Sequence, residues 1–298
     1  MANHLFVGAA TALVTPMNGD GTVNYDEFGN LIDWQIDEQI DALVIAGTTG
    51  EGATLSDEEH RAVMEFAGKR INGRIPWIAG TGSNDTAYGI DLSKAAADAG
   101  ADAVLLVTPY YNKTTQGGLV KMFYEYADAL SVPVVLYNVP SRTGINIEPD
   151  TYVELGKHDN IVAIKEANSD IAKIVETKAK VGDSLDLYSG NDDQIVPLLS
   201  IGALGVVSVL SNVLPRETHE MVHAYINGDL EKACELQLKY VNLVKALFCE
   251  TNPIPVKCAM SHLGFCGNNL RSPLFPIEPQ HEALLLNAMK EAGVNVKC

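Results

Sequence analysis

Ile161-Val162-Ala163-Ile164-Lys165-Glu166 is a short apolar, β-branched run that ends in a lysine. A run without polar alternation is the pattern of a strand buried on both faces. Side chains alternate along a strand, so Lys165 is expected on the face it shares with Ile161 and Ala163. An ammonium on an inward face is costly to bury, so its pKa should fall, and a neutral amine attacks carbonyls to form Schiff bases. Taken alone, the run reads more simply as a strand-end lysine that reaches solvent. The rest of the chain decides between the two.

Runs of the same kind recur on both sides of it. Strands are predicted at Phe6–Val14, Ala42–Ala46, Trp77–Ala79, Ala103–Val107, Val134–Tyr137, Ile161–Lys165, Leu185–Tyr188 and Gly205–Val209. Helical patterns fill the gaps. Phe28, Leu31, Ile32 and Ile36 follow Asn24 and Glu27, and Val63, Phe66 and Ala67 follow Ser56 and Glu59; both polar pairs have capping-box spacing. Eight β/α units in about 225 residues match the size of a (β/α)8 TIM barrel, an α/β fold. A doubly wound open sheet competes, but Gly80-Thr81-Gly82 lacks the third glycine and the acidic partner of a dinucleotide fingerprint. After about Gly228 the strand pattern stops. Helical stretches near 229–248, 254–263 and 279–292 follow, separated by prolines. They predict a C-terminal helical domain over 229–298, appended to a catalytic barrel over 1–228.

Composition narrows the function. The 298 residues are 47% hydrophobic and 20% charged, ordinary for a globular protein. No apolar run approaches the ~20 residues of a membrane helix. Leu5–Val14 is apolar but has no basic residue before it, so it reads as the first strand rather than a signal peptide, and the protein is expected in the cytoplasm. A net charge of −17 argues against nucleic acid as a partner. Five cysteines (Cys234, Cys249, Cys258, Cys266 and Cys298) cluster in the last quarter with no C-x-x-C spacing. They read as reduced thiols rather than disulfides such as Cys258–Cys266, and their clustering has no explanation in the sequence.

In a barrel enzyme the chemistry lies where the strands end. Those ends carry Gly47-Thr48-Thr49-Gly50-Glu51, Thr108-Pro109-Tyr110-Tyr111, Tyr137-Asn138-Val139-Pro140-Ser141-Arg142-Thr143-Gly144, Lys165-Glu166, Ser189-Gly190-Asn191-Asp192-Asp193 and Ser208 with Ser211-Asn212. All are expected to converge on one mouth. Tyr137 shares a strand face with Val135 and should meet Lys165 there. A phenol beside an amine can shuttle protons while a ketone condenses with the lysine. Thr48 and Thr49 suit a proton relay and a carboxylate, and Arg142 is a natural anion clamp.

These residues also carry a resemblance. The Gly47–Glu51 motif, Tyr137-Asn138-Val139-Pro140-x-Arg142-Thr143-Gly144 and Lys165-Glu166 resemble the signatures of the dihydrodipicolinate synthase / N-acetylneuraminate lyase family. The likeness runs over the whole chain, and Arg142-Thr143 follows the synthase branch rather than the sugar-acid lyases. It implies a lyase that condenses pyruvate with aspartate semialdehyde through a Schiff base on Lys165, in the pathway to diaminopimelate and lysine, with no metal or other cofactor. It implies a relay of Tyr137, Thr48 and Tyr111, with Tyr111 supplied by a neighbouring subunit of a dimer or dimer of dimers. It implies that Thr49 and backbone near Gly190 and Val207 hold pyruvate, and that Arg142 holds the semialdehyde's carboxylate. Lysine-sensitive members carry a histidine where Asp57 stands and a glutamate where Tyr88 stands, so lysine inhibition is expected to be weak or absent. Asn84, Tyr110, Ala53 and His60 keep the rest of that pattern.

Other readings stand beside this one: a pyruvate-dependent sugar-acid lyase, and a non-catalytic binding barrel in which Lys165 is unreactive. His219-Glu220-Met221-Val222-His223 also fits H-E-x-x-H, with Glu231 or Glu235 as a third zinc ligand. Leu214, Met221, Val222 and Tyr225 mark that helix's apolar side, which should leave both histidines facing solvent, away from the mouth.

Overall fold

The computed structural model describes residues 4–296, so Cys298 lies outside the described residues. Eight parallel strands close into a barrel in chain order. They are β1 Gly8–Ala12, β2 Ala42–Ile45, β3 Trp77–Gly80, β4 Ala103–Val107, β5 Val134–Asn138, β6 Ile161–Glu166, β7 Asp186–Ser189 and β8 Gly205–Ser208. Around them run α1 Tyr25–Asp37, α2 Asp57–Ile71, α3 Thr86–Asp98, α4 Gln116–Ala129, α5 Pro140–Thr143, α6 Pro149–Leu155, α7 Ile171–Val181, α8 Ile195–Leu199 and α9 Pro215–Ile226. Then come α10 Leu230–Lys239, α11 Val241–Leu247, α12 Ile254–His262 and α13 Pro279–Glu291. The TIM barrel with its helical extension is therefore present, and each strand lies within two residues of its predicted start and end.

The barrel closes by pairing β1 with β8, Gly8 opposite Gly205. Glycine is required at this seam: a Cβ on Gly205 would lie 1.7 Å from the Gly8 carbonyl oxygen. Alternation then sorts the side chains into two layers. Ala10, Ala12, Ala42, Val44, Val135, Tyr137 and Ala163 fill the barrel, while Leu43, Ile45, Val134, Leu136 and Ile164 pack outward against the helices. The small inner residues keep the mouth open for the larger groups above them.

Ile161 departs from the sequence reading. It packs in the outer layer, not on the face of Lys165. A register shift between Val134 and Val135, where Ile161 and Ala163 are the partners, inserts an extra residue at the start of β6. Such a bulge breaks the two-residue period, so the alternation that places Lys165 inward begins only at Ala163.

Ser56 and Glu59 form the full predicted capping box on α2, with bonds of 3.2 and 2.9 Å. On α1 only half forms: Asn24 accepts from the Glu27 amide at 3.0 Å, while Glu27 Oε2 is buried without a partner. The one-turn helix α5 has no precursor in the sequence reading, because four residues are too few to show a helical period.

Candidate active site

The carboxyl ends of the strands surround a cavity of about 370 Å³ lined by Thr48, Thr49, Tyr137, Arg142, Lys165 and Gly190, among others. Lys165 and Tyr137 reach it because they are register partners on adjacent strands, on the inner face. Lys165 Nζ sits 4.2 Å from the Tyr137 ring centre, and the lysine is only 7% exposed. Burial pulls its amine down to about 7; Asp192 holds it up in part, and the Arg142 charge pushes it further down. The face of a tyrosine ring attracts the charged form of an amine held over it. Burial raises the Tyr137 hydroxyl, against the pull of Arg142 and a hydrogen bond with Thr48.

The loop carrying Thr48 and Thr49 is bent by two left-handed residues, Ala46 at φ 55° and Glu51 at φ 55°. Its glycine is forced: a Cβ on Gly52 would lie 2.1 Å from the Ala46 carbonyl oxygen. Glu51 anchors the bend through a buried ion pair with Lys257 of α12 at 2.5 Å and accepts the Arg271 amide at 3.0 Å. Lys257 also donates to the Asn269 carbonyl at 2.7 Å. The helical extension thus holds the loop from behind.

Asn252 was missed in the sequence, and Asp192 and Val209 were placed near the mouth without a role. Asn252 donates to Thr49 Oγ1 at 2.9 Å, and its carbonyl accepts Arg142 at 3.1 Å. It ties the Thr49 and Arg142 loops together from a position 87 residues beyond Lys165, and its only signal was the Asn252-Pro253 break before a predicted helix. Asp192 is wholly buried and accepts the amides of Val209 and Leu210 at 3.0 and 2.9 Å. Its charge acts on Lys165. Burial raises its own pKa. Val209 lines the cavity; Val207 sits in the buried inner layer.

Glu166, grouped with the mouth at the sequence level, points away from it. As the residue after an inward lysine it must face outward. There it accepts from Tyr152, Asn138 and the Asn168 amide, each at 2.9 Å, and burial lifts its carboxyl to about 7. Tyr111 does not line the cavity of its own chain: it is 93% exposed, with φ at 69°.

A second cavity of about 450 Å³ adjoins the first and is lined by Ala53, His60, Tyr88 and Tyr110. Asn84 donates to the Tyr110 carbonyl at 3.3 Å. Asp57, beside it, is taken up by Arg61 at 2.9 Å and by the Tyr88 hydroxyl.

His219 and His223 lie away from the mouth, as expected, but are only partly exposed, because both are drawn onto a carboxylate. His219 Nδ1 and His223 Nε2 each lie 2.9 Å from an oxygen of Asp41, the residue before β2, at the end of the barrel opposite the mouth. Glu231 and Glu235 take no part in that group. Asp41 also accepts the Ala9 amide at 2.7 Å, so its carboxylate is fully used as a tether for α9.

A buried lysine lowered to about 7, a phenol and a guanidinium meet at the carboxyl ends of the strands of a closed parallel barrel, where barrel enzymes place their chemistry. Residues 5–292 match the model of the dihydrodipicolinate synthetase family. The chain belongs to that family. A protein of Thermoanaerobacter sp. (strain X514) named 4-hydroxy-tetrahydrodipicolinate synthase is 50% identical over 291 residues, 97% of this chain and 98% of the relative. Dihydrodipicolinate synthase from Aquifex aeolicus superposes with a TM-score of 0.96 at 43% identity, over 98% of this chain and 100% of that one. The pyruvate complex of the chloride-inhibited enzyme from Acinetobacter baumannii gives 0.95 at 43% identity, over 97% and 99%.

Proposed function

We propose that this protein condenses pyruvate with L-aspartate 4-semialdehyde to 4-hydroxy-tetrahydrodipicolinate, the product for which its relatives are named. One observation carries the reading: the Lys165 amine is buried, lowered to about 7 and set against Tyr137. A substantial share of it is then neutral, and nucleophilic, at physiological pH.

The chemistry follows from that amine. Lys165 Nζ adds to the keto carbon of pyruvate, and water leaves to give a protonated imine. Loss of a methyl proton makes an enamine, whose carbon attacks the aldehyde of the second substrate; that substrate's amine then adds to the re-formed imine carbon, closes the ring and displaces Lys165 as the free amine. Tyr137 moves protons to and from the carbinolamine oxygen, with Thr48 as the next link through their hydrogen bond. Thr49 and the backbone at Gly190 and Val207 hold the pyruvate carboxylate. Arg142 holds the carboxylate of the semialdehyde, in the fork geometry a guanidinium offers. That contact favours the synthase over the sugar-acid lyase, since a sugar chain presents hydroxyls at that position.

Tyr111 completes the relay of a second copy of the chain. Its exposure and left-handed backbone support this, because they present the ring outward at the tip of the loop after β4. The working unit is therefore a homodimer or a dimer of dimers. The reaction runs in the cytoplasm without a metal or other cofactor, and residues 1–228 and 229–298 act as catalytic barrel and supporting helical domain. Among the described residues no helix is long and apolar enough to cross a membrane.

Borohydride reduction in the presence of pyruvate, followed by peptide mass mapping, tests the reading. One adduct per chain on Lys165 is expected. A protein that turns over pyruvate and semialdehyde with no adduct there would refute it.

A further inference from the structure

The clustered cysteines, unexplained by the catalytic site, bring one of their number into a second constellation. Cys258 and His262 are four residues apart on α12, so both face the same way. They face α13, where Glu282 stands in the first turn. Glu282 Oε1 lies 2.7 Å from His262 Nε2 and 3.8 Å from Cys258 Sγ, and all three donor atoms fall within 4.8 Å of one another. A tetrahedral zinc with ordinary bond lengths sets its N and O ligands about 3.3 Å apart and its S and O ligands about 3.6 Å apart. The two spacings to Glu282 need only sub-ångström adjustment, chiefly the opening of the His262–Glu282 bond as a metal replaces its proton.

We propose that Cys258, His262 and Glu282 form a binding site for a divalent zinc-type ion that clamps α12 to α13. The donor set is thiolate, imidazole and carboxylate, which suits zinc and excludes magnesium and calcium. Access is graded: Cys258 is fully buried, while the side chains of His262 and Glu282 are 28% and 37% exposed, so an ion enters from solvent with the thiol at the floor. On binding, the thiol proton passes to water and the thiolate becomes the ligand; water fills the fourth position. Without metal, burial beside Glu282 holds the thiol up at about 12, so it is not a free nucleophile. The Asp41–His219–His223 group is the weaker candidate, because its carboxylate already serves three hydrogen bonds. The clamp lies outside the catalytic cavity, and no step of the condensation uses it.

The test uses the full chain, reduced and stripped of metal, titrated with zinc in equilibrium dialysis and with cobalt(II) in absorption spectroscopy. One ion per chain is expected, with the near-ultraviolet charge-transfer band that only a cobalt–thiolate bond produces. Losing a residue outside the ligand set of a metal site can cost 10–100-fold in affinity, so Cys258→Ser should weaken binding ~100-fold or more and abolish the band. Glu282→Gln, at a half-exposed position that leaves the core intact, should also weaken binding while keeping the fold by circular dichroism. His219→Ala with His223→Ala should change neither stoichiometry nor band. Failure to bind one equivalent, binding without the band, or a band that survives Cys258→Ser would each overturn the proposal.

Discussion

Replacing Lys165 with methionine separates what the lysine does for chemistry from what it costs the fold. The amine is held near 7 instead of its ordinary 10.5, mainly by burial. Keeping it charged in that place below pH 7 therefore costs the folded state on the order of 5 kcal/mol. The sign follows from linkage. The folded pKa lies below the unfolded one, so between about 7 and 10.5 the unfolded chain holds the extra proton and stability climbs with pH. Below about 7 both states are charged and the full cost stands. Methionine has similar length and no charge, so Lys165→Met removes the cost. Asp192 takes part of the gain back, since its buried carboxylate loses a neighbouring cation. The variant should be more stable than the parent by ~1–3 kcal/mol near pH 7, with the gain shrinking towards zero by about pH 10. Urea unfolding followed by Trp34 and Trp77 fluorescence measures both values. Loss of stability at pH 7, or a variant that keeps the parent's slope between pH 7 and 10, would refute the account of a desolvated lysine. The same ionisation sets the chemistry: the neutral fraction rises from about 10% at pH 6 to about 90% at pH 8, so the initial rate of pyruvate adduct formation should rise ~9-fold over that range.

Tyr137→Phe should leave the fold intact and slow turnover by ~100-fold or more in a steady-state assay, the usual range for removing a proton shuttle. Arg142→Ala should raise KM for the semialdehyde while pyruvate still forms its adduct on Lys165, as read by borohydride trapping; an equal loss of pyruvate trapping would count against the clamp. Lys257→Ala strands the buried Glu51 carboxylate and should destabilise the protein by about 3–5 kcal/mol in denaturant unfolding, with kcat falling as the Thr48 loop loosens. Lysine should inhibit weakly or not at all, because Asp57 is committed to Arg61 and Tyr88 offers no carboxylate to hold an ammonium; strong inhibition at sub-millimolar lysine would contradict this.

Much of the molecule was readable before any coordinates. The barrel was legible because each strand is a solid apolar run and each helix repeats its apolar residues at its own period, both properties of neighbouring residues. The pairing of Tyr137 with Lys165 was legible for the same reason: strict alternation fixes which side chains point inward once the strand order is known. Where alternation failed, the reading failed with it. Alternation alone puts Ile161 on the wrong face, because a bulge is invisible in a run of equally apolar residues. Proximity to Lys165 in the chain suggests the mouth for Glu166, but one step along a strand reverses direction.

The rest came from the folded arrangement, because it depends on residues far apart in the chain. Asn252 reaches Thr49 and Arg142, Asp192 sets the field at Lys165, and Asp41 claims both histidines of a motif that resembled a zinc helix. The degree to which Lys165 is neutral belongs to this second group. Local pattern is enough to put a lysine at the end of the sixth strand of a barrel; burial under groups drawn from the whole chain brings its pKa down to about 7. Local periodicity encodes which way a side chain points, whereas desolvation is a sum over everything packed around it, and that sum exists only once the chain has folded.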